Sequence, residues 1–388
     1  MGPPKSGRNA VGKGAATIMR IRVLLVAACC ALALGPARAD SRNPALDAPD
    51  RFNWTLFARI NAPAPDGRNR LWETWADNPA TFPALPSKMQ KPVFPVHTPP
   101  RNLEPVNQQV IRAGILKRQG IAVSPNGAQE VRRNKAAFDF IVSHDLYYQE
   151  GVIAAIQAQK PLDFPPDAIE LKAAWKPVAQ IAPDKRGRYY INRAADGGEY
   201  ALIGLHLVSK ALPNWTWATF EQADNPGRCD VIGCHDAFGD MDADTPPNAQ
   251  PNRGYPECRH SPELQLLLKR AGLTEPYWAY YCLKGSQVDF ADRGGWATRL
   301  GNSELEGRFI RTASCMSCHA RSAFDAALHS AYKGGFNRDG TGPLGYPDPS
   351  AYFAVKPPPD FAQPAPSYRY LPMDFSWSFS RAKKLAAQ

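Results

Sequence analysis

The sequence predicts an α+β protein with a β-rich middle region, flanking helices and a mainly α C-terminal region. Three observations carry that prediction. Short apolar runs at Ile169–Trp175, Arg188–Asn192, Tyr200–Ser209 and Trp215–Gln222 are separated by Pro, Gly and Asp turns, as strands of a sheet are. Residues 103–119 and 127–160 instead carry helical spacing. The chain of 388 residues is 44% hydrophobic, enough to bury a core and to exclude a wholly disordered polymer. Its 38 prolines and 29 glycines show no period, which excludes collagen-like sequence.

In chain order, the first element is a leader. Arg20 and Arg22 precede the apolar run Val23–Leu34, and Ala37-Arg38-Ala39 follows. A basic stretch, a short apolar run and an A-x-A site predict a secretory signal peptide over 1–39, cleaved after Ala39. Met19 would give that leader an ordinary length. Val26-Ala27-Ala28-Cys29 also has the look of a lipobox, but apolar sequence continues past Cys29 and the cleaner site is at Ala39. Residues 1–39 hold six basic residues and no acid. The rest of the chain has 40 basic against 36 acidic residues, a net +4, which gives no warrant for a nucleic-acid partner. No segment of the mature chain approaches the roughly 20 apolar residues that a membrane-spanning helix needs.

Residues 40–300 read as an N-terminal α+β domain with no assigned role, and 301–388 as a separate C-terminal region. Trp54, Phe57, Trp72 and Trp75 are aromatic anchors in a proline-rich opening, and Lys91–Pro100 is an extended surface segment or linker. The predicted helical stripe is Ala137, Phe138, Ile141, Leu146, Ile153 and Ile156, broken near Gly151. Tyr200–Val208 is apolar on both faces, as in a strand buried on both sides. Glu263–Ala271 is a predicted helix, and Gly334–Pro349 a loop.

The chemistry sits in Cys315-Met316-Ser317-Cys318-His319, the C-x-x-C-H attachment sequence of c-type haem. Two thiols on one helical turn reach the two vinyl groups of one porphyrin edge, and the next imidazole faces the iron as proximal ligand. A redox-active or structural C-x-x-C with an incidental histidine is the plain alternative. It would be expected on a βαβ pattern, and none is visible. An Ala320–His329 helix after the motif also fits haem.

Residues 301–388, with GNSELEGRF before CMSCH and TGPLGY after it, resemble a cytochrome c domain. The longer chain resembles a group of large exported bacterial cytochrome c family proteins. The matching stretches are Phe52-Asn53-Trp54, Trp72-Glu73-Thr74-Trp75, Glu170–Trp175, Ile203–Leu207 and Trp215–Asn225. The resemblance implies haem c and electron transfer, and supplies no substrate.

Two residues compete for the sixth iron position. Met373, 55 residues past Cys318 and beside Pro372, has a spacing like that of the distal methionine of small cytochromes c, and is otherwise a packing residue. His206, placed on one strand face with Tyr200, Leu202 and Val208, is the rival, and is otherwise a buried histidine satisfied by a carbonyl. His97, His144, His260 and His329 read as surface residues. Met316, between the two cysteines, cannot reach the far face.

Cys229, Cys234 and His235 form a C-x4-C-H that admits a second haem. Disulfides among Cys229, Cys234, Cys258 and Cys282, in any of three pairings, are the alternative. A Cys/His metal site that includes Cys258 and His260 fits an oxidising compartment poorly. Glu170 and Lys172 share a strand face and suggest a polar pocket or a salt bridge. Trp215 and Trp217 fill a core or pack on a haem edge.

The expected function is therefore an exported, periplasmic c-type cytochrome carrying single electrons between redox protein partners. The alternatives are a haem-dependent oxidoreductase, peroxidase-like or dehydrogenase and with one or two haems, and a haem-based ligand-binding protein.

Overall fold

The computed structural model describes Gly2 and residues 43–105, 128–247, 254–307, 309–331, 337, 341–353 and 367–386. The expected leader, nearly all of the helix expected over 103–119 and much of the 334–349 loop lie outside the described residues.

Twelve strands are described: β1 (Ala76–Asp77), β2 (Glu104–Pro105), β3 (Ala128–Arg133), β4 (Ile169–Pro177), β5 (Ile191–Arg193), β6 (Glu199–Ser209), β7 (Thr216–Gln222), β8 (Cys234–His235), β9 (Asp244–Thr245), β10 (Tyr281–Gln287), β11 (Ala323–Phe324) and β12 (Leu371–Pro372). The α-helices are α1 (Pro44–Asp47), α2 (Pro49–Asn61), α3 (Asn78–Thr81), α4 (Lys135–Ser143), α5 (Gln149–Gln157), α6 (Pro262–Arg270), α7 (Cys315–His319) and α8 (Pro349–Tyr352). The α+β class of the sequence reading is thus the class of the structure.

One antiparallel sheet organises the chain, in the order β1-β3-β4-β6-β7-β10. β2 extends the β3 edge and β5 takes the part of β6 that β7 leaves unpaired. Two helix starts have a clear local cause. Asn134 caps α4 by accepting the Ala137 N–H, and Ser261 caps α6 through the Leu264 N–H, with Pro262 at the first helical position.

The sheet has two unlike faces. On one, Leu171, Ala173, Trp175, Leu205, Leu207, Ala218, Phe220 and Leu283 join Trp54 and Phe57 of α2 and Leu264 and Leu268 of α6 in an apolar core. On the other, Glu170, Lys172, His206, Thr219, Glu221 and Gln287 put polar groups toward the C-terminal segment. Asn302 Nδ2 donates to Thr219 Oγ1 (3.1 Å), Ser303 N donates to Glu221 (2.9 Å), and Gln287 Nε2 donates to Ser314 Oγ (2.8 Å). A Cβ on Gly204 would meet Asn302 Nδ2 at 2.7 Å, so the 301–306 turn needs a glycine beneath it. Residues from Pro44 on form one compact unit. Trp215, Trp217, Met316, Phe324, Leu371 and Met373 share its second core cluster.

Several expectations are corrected. Residues 128–133 are a strand inside the helical stretch expected over 127–160, because Arg132, Arg133 and Glu130 are buried in pairs rather than solvated. Gly151, Val152 and Ile156 are the buried residues of α5, with Ile153 only half-buried. A register shift between Ala174 and Trp175 moves Leu202 to the α2 face, away from His206. Strand β10 had no counterpart in the sequence reading. The described part of 301–388 carries only short helices. α7 stops at His319, and Ala323–Phe324 pairs with Leu371–Pro372 where a helix over Ala320–His329 was expected.

Candidate haem attachment site

α7 is one helical turn held from several directions. Ser314 caps it by accepting the Ser317 N–H, and Gln287 Oε1 accepts the Met316 N–H (3.0 Å). Arg321 Nη1 donates to the Ser317 carbonyl (2.7 Å) and to Gly345 O (2.9 Å). Cys315 and Cys318 take part in neither disulfide, and both side chains lie on this turn. Burial, with Glu306 nearby, pushes the Cys318 thiol up to about 12 and Cys315 well above its ordinary value. Both shifts favour the thiol over the thiolate, which opposes the nucleophilic chemistry of a redox C-x-x-C.

His319 is fixed by its Nδ1, which lies 2.8 Å from the Phe375 carbonyl. A carbonyl only accepts, so Nδ1 carries the proton and Nε2 keeps its lone pair. Burial lowers the imidazole pKa to about 4, and nearby Lys172 adds to the effect, which favours the neutral ring. Trp217 packs on it, with ring centroids 4.6 Å apart. A neutral imidazole with one nitrogen committed and the other bare, beside two protonated thiols on one turn, is a donor set that fits covalent haem.

The Phe375 carbonyl is held in place by strain. Asp374 and Phe375 have φ of 45° and 66°, a left-handed pair without glycine. The Asp374 carboxylate secures it by accepting from Lys210 Nζ (2.6 and 2.8 Å), Phe164 N (2.7 Å) and Trp215 Nε1 (3.2 Å). Asp374→Ala leaves the Lys210 ammonium, whose side chain is 7% exposed, with Asp163 (3.0 Å) and the Pro213 carbonyl (3.2 Å), and removes the acceptor of Phe164 N and Trp215 Nε1. The variant should lose about 1–3 kcal/mol in urea unfolding; a loss below about 0.5 kcal/mol would refute the clamp.

The other candidates fall as follows. Met373 is buried, and its N–H donates to Ser322 O (2.8 Å) as β12 meets β11. His206 is buried on β6, with Nε2 at 3.1 and 3.2 Å from the two Glu306 oxygens. Burial alone would raise the Glu306 carboxyl, yet His206, Lys172 and the Asn302 N–H outweigh it and hold the pKa at about 2. Glu170 bonds Arg133 (3.3 Å) and Ser376 (3.1 Å) rather than Lys172. His260 is buried, against expectation, with Nε2 on Tyr281 O (2.9 Å) and its ring edge-on to Trp54 (5.4 Å). His97, His144 and His329 are exposed.

At the C-x4-C-H, Cys229 is bonded to Cys234, and Cys258 to Cys282. His235 Nδ1 bonds Asp244 (2.7 Å), and its Nε2 lies 3.6 Å from Asp50. The disulfide alternative is the one this arrangement matches. A cavity of about 310 Å³ opens elsewhere, lined by Asn69, Thr98, Arg101, Arg132 and Arg193. Arg101 and Arg132 are there committed to Glu73 and Glu130.

Comparison with known proteins gives no further guide. No family model, curated protein or solved structure matches this chain. Among the described residues no helix is long and apolar enough to cross a membrane.

The sequence reading found the three motif residues and missed their supports. Glu306 lies inside GNSELEGRF, already singled out, and Asp374 directly follows the candidate Met373. Nothing local marks either carboxylate as buried.

Proposed function

We propose that the protein is an exported c-type cytochrome carrying one covalent haem on Cys315 and Cys318, with His319 as proximal ligand. The carrying observation is the His319 Nδ1–Phe375 carbonyl bond, which fixes the tautomer that leaves Nε2 for iron. Bound haem would supply one-electron uptake and release. The chain's own part is to orient the imidazole through Phe375, Asp374 and Trp217, and to exclude water around the thiols. The two disulfides support an oxidising compartment, hence a periplasmic location with redox proteins as partners. A single haem is the reading that leaves all six mature cysteines used.

Intact mass of the mature protein, made with the cytochrome c maturation machinery and compared before and after reduction, tests this. One haem's mass with four cysteines released on reduction is the expected result. Two haems would move Cys229, Cys234 and His235 into a second centre, and no haem would sink the proposal.

A further inference from the structure

His206 carries an unexplained nitrogen. The ring lies mid-strand on β6, cross-strand from Lys172 of β4 and Thr219 of β7, at 8% exposure. Nε2 faces the Glu306 carboxylate, which can only accept, so Nε2 bears a proton. Nδ1 is closed to solvent and has no hydrogen-bond partner. Leaving a buried polar group unmet costs about 1–3 kcal/mol, so a bare nitrogen in a well-bonded strand calls for an explanation. Metal-ligating histidines have this pattern: one ring N–H donated to a carboxylate or carbonyl, the other nitrogen presenting a lone pair. His319 shows it with Phe375, and His206 shows it with Glu306. The two rings are on the same side of the sheet: His319 packs on Trp217 of β7, two residues from Thr219, the cross-strand partner of His206.

Met373 lacks this signature. Its side chain packs with Leu371 and Phe379, which accounts for its burial. Its segment also runs along the Nδ1 edge of His319, since Phe375, two residues on, holds that nitrogen. Iron would bind at the opposite nitrogen.

We infer that His206, through Nδ1, is the sixth ligand of the haem iron, and that Glu306 is the residue that positions it. The inference rests on the haem reading above. It makes the centre bis-histidine, closed to exogenous ligands, and without the methionine that raises the potential of His/Met cytochromes. That deepens the electron-carrier reading, because an iron with both axial positions filled has no place for a substrate.

The test uses full-length holoprotein whose covalent haem has first been verified by pyridine haemochrome, so absence of haem counts against the haem reading and not against the ligand. Wild type is expected to be low-spin, with no methionine-to-iron charge-transfer band and no carbon monoxide binding. His206→Ala should turn high-spin and bind carbon monoxide at least tenfold more tightly, and added imidazole should restore the low-spin spectrum. Met373→Leu should change neither property. Glu306→Gln should stay low-spin while its midpoint potential rises, since the imidazole loses its anionic partner. If His206→Ala holds haem poorly, His206→Met decides. A methionine charge-transfer band in that variant supports ligation from position 206, and its absence overturns it. A low-spin, carbon monoxide-inert His206→Ala protein, or a charge-transfer band that Met373→Leu abolishes, also overturns the inference.

Discussion

On the haem proposal, exchanging both thiols of α7, Cys315→Ser with Cys318→Ser, should remove all covalently bound haem from the protein. The expectation follows from the chemistry of the motif: a hydroxyl cannot form the thioether to a vinyl group. The structure adds that the loss should be specific. Both disulfides lie elsewhere, so no cross-link is broken. α7 keeps its Ser314 cap and the bonds to Gln287 and Arg321, none of which uses a cysteine. The sheet should therefore fold, and the apoprotein should keep its far-ultraviolet spectrum. Cys318→Ser alone should leave at most one thioether, and haem yield should fall at least tenfold. Normal two-bond haem in that variant, read by mass after proteolysis, would show that the motif is not the attachment site. The raised pKa of these partly exposed thiols makes a second readout available. Before haem is attached, the native apoprotein should react slowly with iodoacetamide at neutral pH, and quickly only once unfolded.

The largest loss of stability should come from Glu130→Ala. Glu130 is 2% exposed on β3, and its carboxylate accepts from Arg101 Nε (2.8 Å), Arg132 Nε (2.8 Å) and Trp175 Nε1 (3.0 Å). Burial by itself would raise its pKa, but the charges of Arg132 and Arg101 more than offset this and hold it low. Removing the carboxylate leaves two guanidinium groups buried, with Arg132 at 0% and Arg101 at 6% exposure. Breaking such a set costs about 3–5 kcal/mol. Glu73 still pairs with Arg101, so Arg132 bears most of the loss. Urea unfolding checks the value, and a change below about 1 kcal/mol would mean that the network relaxes or hydrates. The sign of the pH effect is fixed too. A carboxyl lowered on folding contributes stability that is fully present above the unfolded pKa of 4.5 and lost as pH falls toward the folded one. Wild type should therefore lose stability below about pH 4.5 more steeply than Glu130→Gln.

β3 shows why that network was illegible. Ala128–Arg133 reads AQEVRR, three charges in six residues, and a charged run is usually a solvated face. What reverses the reading is pairing across long sequence distances: Arg101 with Glu73, Arg132 with the carbonyls of Glu73 and Trp75, Arg133 with Asn78 and Ser378. Apart from Arg132 with Glu130, two residues away, no short window of the sequence contains both partners. β4, β6 and β7 were legible for the opposite reason. Their apolar residues face a core, and burial of carbon needs no specific partner. Even so, the register shift at Ala174/Trp175 put Leu202 and His206 on different faces, because period-two alternation cannot survive a bulge.

By itself the sequence determined the class of the fold and the three residues Cys315, Cys318 and His319 as the haem candidate. Both are local properties: a periodicity of apolar residues, and a spacing of reactive atoms along one helical turn. Only the tertiary structure decided which groups surround that turn. It placed the Phe375 carbonyl on His319, locked it with Asp374 and Lys210, set Glu306 against His206, and paired Cys229 with Cys234 and Cys258 with Cys282. Each of these joins residues that are far apart in the chain or turned by backbone strain. A hydrogen bond depends on ångström-scale approach of two specific atoms, and that approach is set by how the whole sheet and its covering segment pack.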